Sequence, residues 1–305
     1  MTTVRTRSGT VRPVRLAGDV LAIGRPWFWF VSLLPYYLGV VLATRQVVPP
    51  AADWPVLALG AVVIGPLMWI SVLAVNDAYD LRGDRLNPRK AGSPLAGGRL
   101  TASAALWVSL GAAVLAVAAA LFVGPLFALG TGIVLLVGWA YSAPPLRLKA
   151  RPGFDVAVNA LAIGAAGQLA GWSLLRPLAE FPWPMAVLGT LVGAALYVPT
   201  TLADLEADRV SGYTTLAVRL GARRAYLLGL GLWLAAGTLS LVMSAADIVI
   251  PRSMLPMEIV LVPSMVIAYR RLVRAERTFR GIVAVAVLFL VPSLTFVLTY
   301  TGSLP

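Results

Sequence analysis

The chain has 305 residues, of which 59% are hydrophobic and 12% are charged, and its mean hydropathy is +0.84. Charged residues make up about 25% of an ordinary soluble domain, so this composition excludes that class and indicates a membrane protein. The sequence contains no cysteine and no histidine. This excludes disulfides, thiolate or imidazole catalysis, and metal sites built on sulfur or imidazole. Any catalytic metal must therefore bind oxygen ligands.

Apolar stretches of about 20 residues, the length that crosses a bilayer, recur along the whole chain. The sequence predicts nine such spans, at about 23–44, 55–75, 102–122, 125–142, 155–175, 183–203, 225–244, 253–269 and 281–300. The polar breaks between the spans are too short to form a separate soluble domain. We therefore expect an all-α integral membrane protein with one domain over 1–305, which begins with a cytoplasmic tail over 1–22.

The distribution of positive charge predicts the orientation in the membrane. Alternate connections contain 22 of the 25 Lys and Arg residues, located before or at the first span and in 76–101, 143–154, 204–224 and 270–280. The opposite side has only Arg45, Arg176 and Arg252. The positive-inside rule then places the N-terminus and the basic loops in the cytoplasm and the C-terminus outside the cell membrane. The net charge of +12 thus reflects topology, because a nucleic-acid surface would need these residues on a solvated domain.

Six of the thirteen acidic residues occupy two short segments, each at the cytoplasmic end of a predicted span. They are Asp77, Asp80 and Asp84 in the first segment and Asp204, Glu206 and Asp208 in the second. If each helix continues into its loop, the aspartates of each segment lie on one helical face. Carboxylates stacked in this way repel one another and need positive compensation. Solvated charges that fix orientation are the alternative, but two such segments on one side favour a shared site.

Magnesium fits these clusters well, because Mg²⁺ takes one or two carboxylates, keeps several waters and completes its coordination with phosphate oxygens. Two facing clusters could hold two or more ions around one diphosphate. Nearby basic and tyrosine side chains could bind the remaining phosphate oxygens through charge-assisted hydrogen bonds, although Arg147 and Lys149 could instead serve only as topology signals. The predicted substrate contacts are Asn76, Arg25, Arg82, Lys90, Tyr141, Arg147, Lys149, Arg209, Tyr79 and Tyr197.

At these residues the sequence resembles the UbiA superfamily of intramembrane prenyltransferases. The family motif N-D-x-x-D-x-x-x-D is matched at every specified position by residues 76–84, and D-x-x-x-D is matched by Asp204 and Asp208. The runs 141–149 and 212–221 are also similar to family loops. The resemblance implies nine transmembrane helices bundled around a central, laterally open cavity. One position departs from the pattern, because Ser93 stands where many members have Arg; Lys90 or Arg99 could replace that charge.

The resemblance implies Mg²⁺-dependent transfer of an isoprenoid chain from an allylic prenyl diphosphate to a hydrophobic or aromatic acceptor, with release of diphosphate. Ionisation of the diphosphate leaves an allylic carbocation, so no side-chain nucleophile is required. The aromatic rings near the motifs could stabilise that positive charge, and they belong to Tyr79, Trp139, Tyr141 and Tyr197. The resemblance assigns catalysis and metal binding to Asp77, Asp80, Asp84, Asp204 and Asp208, with Asn76 as a further ligand.

Two other functions share these features. A terpene cyclase of the same fold would use the same metal site, but a double bond of the substrate's own chain would attack the cation. A secondary transporter is compatible with Gly and Pro inside several spans and with acidic segments half a chain apart. Coupling carboxylates in transporters lie near the bilayer midplane, however, whereas these lie at the ends of spans. No motif identifies the acceptor, the prenyl chain length or the oligomeric state.

Overall fold

The computed structural model describes residues 13–85, 90–273 and 278–304. Every regular element within these ranges is helical. Nine helical segments in this part of the chain are long and apolar enough to cross a membrane, which confirms the predicted all-α membrane fold. Most of the predicted tail over 1–22 lies outside the described residues.

The helices are numbered here in chain order. They are α1 (Pro13–Gly24), α2 (Trp29–Thr44), α3 (Ala51–Asp84), α4 (Ala102–Val123), α5 (Pro125–Ser142), α6 (Phe154–Ser173), α7 (Trp183–Ala203), α8 (Leu205–Ser211), α9 (Leu216–Leu220), α10 (Ala222–Ala245), α11 (Arg252–Leu272) and α12 (Thr278–Tyr300). The largest difference from the predicted spans is at α3. This helix continues beyond the predicted end at 75, so the whole first acidic motif is helical.

The chain enters the bundle through a short helix that the span pattern did not predict. Helix α1 packs against α3 and buries Ile23, whereas Leu21 remains exposed. Arg25 then adopts a left-handed conformation with φ 45°, and Pro26 begins a short 3-10 turn that leads into α2. This break separates α1 from α2 and places Arg25 beside the end of α3.

Glycines allow α2, α6 and α7 to approach one another at backbone distance. A Cβ atom added at Gly171 would overlap the backbone oxygen of Tyr36, and one at Gly39 would overlap that of Gln168. Gly164 and Gly189 form the same kind of contact between α6 and α7. Small residues are favoured at such interfaces because helices in a membrane associate mainly through close packing. This glycine seam fixes α6 between its two neighbours.

The seam can be tested with one substitution at two positions. We expect Gly171→Ala to lower the free energy of unfolding by about 1–3 kcal/mol, because the added methyl group has no space. The control is Gly231→Ala, which lies on the exposed face of α10 with nothing within 4 Å of the added carbon. The measurement is thermal unfolding of both variants in the same detergent. Equal melting temperatures for the two variants would contradict the seam.

Candidate active site

The last turns of α3 carry the first acidic motif on one helical face. Asp77 is buried, and Asp80 and Asp84 are partly buried. Asp77 accepts a hydrogen bond from Arg25 with an N–O distance of 2.6 Å, and Asp84 accepts one from Lys90 at 2.7 Å. The cations therefore come from the segments that precede α2 and follow α3. Burial of these carboxylates at the end of an apolar helix is tolerated because each has a positive partner.

Asp80 has two cationic partners. Its Oδ2 atom is 2.6 Å from Nζ of Lys149, and its Oδ1 atom is 3.0 Å from Nη2 of Arg147. Both cations belong to the loop between α5 and α6, where Arg147 has a left-handed φ of 41°. Lys149 also donates to Oδ1 of Asn76 at 2.9 Å. Burial lowers the pKa of Lys149, while the negative charge of Asp80 opposes that shift.

The second acidic motif lies where α7 passes into α8. Asp204 directly follows α7 and precedes α8, and Asp208 lies one turn further along in α8. The Asp208 carboxylate accepts a hydrogen bond from the Thr215 hydroxyl at 3.0 Å. Burial raises the pKa of Asp208, the Thr215 hydrogen bond opposes this, and the nearby charges of Asp204 and Asp155 raise it further. These carboxylates therefore form a second region that favours a positive ligand.

Tyr213 joins the two motifs. Its hydroxyl oxygen is 2.5 Å from Nη2 of Arg147 and 3.5 Å from Oδ1 of Asp80, and its ring centroid is 4.9 Å from the Arg147 guanidinium carbon. Its backbone N–H donates to the backbone oxygen of Asp208 at 2.9 Å. The loop after the second motif therefore lies against the first motif, and both motifs meet at the same end of the bundle. No sequence motif singled out Tyr213, although it lies in the run 212–221 that resembles a family loop.

Asp155 is a second residue of this region that no sequence motif identified. Its side chain is buried, with the residue 2% exposed, at the start of α6. Its two carboxylate oxygens accept hydrogen bonds from the backbone N–H groups of Gly153 at 2.8 Å and Leu216 at 2.7 Å. This attaches the N-terminus of α9 to α6. An acidic residue at the first position of a predicted apolar span was the available signal.

Two predicted tyrosines form a polar contact next to Asp155. The hydroxyls of Tyr141 on α5 and Tyr197 on α7 are 2.9 Å apart. Asn159 donates to the Tyr141 hydroxyl at 2.9 Å and to the backbone oxygen of Asp155 at the same distance. These hydrogen bonds link α5, α6 and α7 near the end of the bundle that carries the acidic motifs.

The structure brings most of the predicted substrate contacts into this network and leaves three outside it. Those inside are Arg25, Asn76, Lys90, Tyr141, Arg147, Lys149 and Tyr197. Tyr79 and Arg82 are exposed. Each follows a motif aspartate by two residues, a rotation of about 200° around the helix axis, so both point away from the face that carries the aspartates. Arg209 instead pairs with Glu206 at 2.7 Å, where both side chains are largely exposed.

Lys90 and Arg99 are the two cations that could replace the charge missing at Ser93, and the structure shows which acidic residue each one pairs with. Ser93 accepts a hydrogen bond from the backbone N–H of Ala96, which stabilises a turn. Arg99 pairs with Asp19 of α1 at 2.7 Å, whereas Lys90 pairs with Asp84 of the first motif. Lys90 therefore lies at the first acidic motif, whereas Arg99 lies at α1.

The donor set has the chemistry of a magnesium site, because it offers carboxylate and amide oxygens and neither sulfur nor imidazole. The oxygen-bearing side chains are Asn76, Asp77, Asp80, Asp84, Asp204 and Asp208. Across the described ranges, no three acidic side chains converge closely enough to hold an ion. The ion pairs account for this, since each carboxylate of the first motif is directed toward a basic side chain.

Comparison with known sequences gives a match over most of the chain. The model of the UbiA prenyltransferase family matches residues 32–280. A lycopene elongase/hydratase from Halobacterium salinarum is 30% identical over 222 residues, which are 70% of this chain and 76% of that protein. The bacteriochlorophyll synthase 33 kDa chain from Cereibacter sphaeroides is 28% identical over 204 residues, or 66% of each chain.

Solved structures share the same fold. A UbiA homolog from Archaeoglobus fulgidus bound to GPP and Mg²⁺ superposes with a TM-score of 0.74 at 23% identity, covering 93% of this chain and 98% of that one. A digeranylgeranylglyceryl phosphate synthase superposes with the same TM-score at 15% identity, covering 94% and 99%. At these identities the likeness shows the common arrangement of helices.

The role of Asp155 can be tested by replacing one carboxylate oxygen with an amide nitrogen. We expect Asp155→Asn to lower the free energy of unfolding by about 1–3 kcal/mol, because the amide nitrogen cannot accept a backbone hydrogen bond and leaves a buried N–H unpaired. The control is Asp247→Asn, since Asp247 accepts the N–H of Arg252 at an exposed site. Thermal unfolding measures both variants. A melting temperature of Asp155→Asn as high as that of the control variant would refute this role.

Proposed function

This chain belongs to the UbiA prenyltransferase family and is a membrane-bound prenyltransferase, and from that premise we propose its reaction. It transfers an isoprenoid chain from an allylic prenyl diphosphate to a hydrophobic or aromatic acceptor and releases diphosphate. The observation that carries the proposal is the contact of Tyr213 with Arg147 and Asp80, because it joins two aspartate motifs at one site.

Four basic side chains around the first motif supply the diphosphate-binding groups in this proposal. They are Arg25, Lys90, Arg147 and Lys149. The Nε–H group of Arg147 is buried and has no hydrogen-bond partner among the described residues. A buried donor of this kind is costly unless a ligand satisfies it. We therefore assign Arg147 to a diphosphate oxygen.

We propose that two or more Mg²⁺ ions bind between the motifs, held by Asp77, Asp80 and Asp84 on one side and Asp204 and Asp208 on the other, with Asn76 as a further ligand. Bound Mg²⁺ supplies positive charge that stabilises the departing diphosphate. With ions bound, the carboxylates would contact the ions, and the four basic side chains would be free to bind phosphate oxygens. A homolog of the same fold from Archaeoglobus fulgidus binds GPP and Mg²⁺, which supports the use of Mg²⁺ with a prenyl diphosphate.

The remaining task is to protect the allylic cation once the carbon–oxygen bond breaks. Tyr197 packs against the apolar cluster around Val156 and Val198, next to the polar site. We propose that the rings of Tyr141 and Tyr197 face the cation, since aromatic faces stabilise positive charge. The apolar interior excludes water, so that the acceptor attacks the cation and then loses a proton.

Several relatives favour a polyene acceptor. The lycopene elongase/hydratases of Halobacterium salinarum and Haloarcula japonica are 30% and 31% identical to this chain. We therefore propose lycopene as the first acceptor to test. A cyclic product formed from prenyl diphosphate alone would instead identify a terpene cyclase. Family membership and the position of both motifs at helix ends argue against a transporter.

We expect Asp80→Asn to lower turnover by at least about 100-fold, because it weakens ion binding and leaves Arg147 and Lys149 without their charged partner. Asp77→Asn and Asp204→Asn should have similar effects. Asp53→Asn is the matched control, since Asp53 lies at the opposite end of α3. The assay measures prenylated product and released diphosphate by mass spectrometry with Mg²⁺, after chelation, and after Mg²⁺ is restored. Wild-type turnover in Asp80→Asn, or undiminished turnover after chelation, would show that this assignment is wrong.

We also propose that the N-terminus and the active-site loops are cytoplasmic and that the C-terminus is outside. The absence of native cysteine allows a direct test with single cysteines at two exposed sites. In intact cells, we expect a membrane-impermeant maleimide to label Ser303→Cys and to label Gly92→Cys only after permeabilisation. The reverse labelling pattern would invert the proposed topology.

A further inference from the structure

Exposed arginines lie at one end of α11 and α12, outside the proposed active site. Arg270 and Arg271 occupy the last turn of α11, and Arg280 lies in the first turn of α12. A Cβ atom at Gly281 would overlap the backbone oxygen of Leu272, so the two helices meet closely. The three arginines therefore share one rim of the bundle. This rim is at the end that carries the acidic motifs, because Tyr269 contacts Tyr226 near the start of α10.

The segment that carries this rim has a larger net positive charge than the two loops that bear the acidic motifs. The segment 270–280 contains five Arg and one Glu, a net charge of +4. By contrast, 76–101 has five basic and three acidic residues, and 204–224 has four and three. In 143–154, two of the three basic residues pair with Asp80. None of the three arginines of the rim forms an ion pair with a described residue.

A surface groove lies at the end of α11. It has a volume of about 350 Å³ and is lined by Ile267, Arg270 and Arg271. These residues share one helical face because they are separated by three and four positions. Ile267 is 49% exposed and lies on the membrane side of the two arginines, and Phe279 is 62% exposed on the neighbouring helix. The groove thus combines an apolar wall with two cations at its rim.

We propose that this groove binds an anionic phospholipid of the adjacent leaflet. Arg270 and Arg271 donate hydrogen bonds to the phosphate of the head group, and an acyl chain lies along Ile267. Guanidinium groups suit this role because their fork of donors matches phosphate oxygens. Basic clusters at the cytoplasmic end of a membrane helix attract anionic lipid. Inorganic phosphate lacks the chain that would contact Ile267, and a zwitterionic lipid has no net negative charge.

The experiment compares two adjacent arginine pairs. Purified protein in neutral detergent is titrated with phosphatidylglycerol, with phosphatidylcholine of the same chains, and with inorganic phosphate, and bound lipid is counted by native mass spectrometry. We expect R270Q/R271Q to weaken phosphatidylglycerol binding roughly 30-fold, from the usual contribution of a basic residue near anionic lipid. The matched control is R223Q/R224Q, an exposed pair at the start of α10, and it should bind as the wild type does.

Unchanged phosphatidylglycerol affinity in R270Q/R271Q would overturn the proposal, and so would an equal loss in both double variants. Equal binding of phosphatidylcholine, or full competition by inorganic phosphate, would overturn the choice of ligand. Thermal unfolding without lipid verifies folding. If the double variant does not fold, Arg270→Gln and Arg271→Gln replace it, and each should weaken binding about fivefold. These readouts do not involve prenyl transfer, so they remain distinct from the test of the proposed function.

Discussion

The pairing of Asp80 with Lys149 and Arg147 is the interaction on which the organisation of the site depends. A carboxylate held at the end of an apolar bundle requires compensation, and the compensating cations lie 67 and 69 residues further along the chain. Satisfying this one charge brings the loop between α5 and α6 onto α3. Tyr213 then brings the second motif to the same place. Local charge balance thus determines how distant segments meet.

The span pattern was predictable because apolar length and the distribution of arginine and lysine are properties of the sequence itself. The end of α3 was not predictable from hydropathy, because hydropathy falls at Asn76 although the helix continues to Asp84. Polar side chains there are satisfied by Arg25, Lys149 and Lys90, and such partners are contributed by tertiary structure. The short helix α1 was missed for a similar reason, since it packs on α3 and does not cross the membrane by itself.

Within the site, helical spacing predicted that the motif aspartates share a face. The same spacing places Tyr79 and Arg82 on another face of α3, where both side chains are exposed. Asp155 and Tyr213 were harder to identify. Asp155 binds a backbone group 61 residues away, and Tyr213 reaches a carboxylate 133 residues away. No local pattern encodes contacts of that separation.

Two of the four basic residues around the first motif have a left-handed backbone conformation, and these are Arg25 and Arg147. A residue other than glycine pays about 1–2 kcal/mol for this conformation, and the ion pairs with Asp77 and Asp80 offset that cost. The ion pairs of the first motif therefore stabilise strained backbone at two positions. Arg25 lies in the break between α1 and α2, and Arg147 lies in the loop between α5 and α6. Neutralising either carboxylate would remove the compensation at the position with which it pairs.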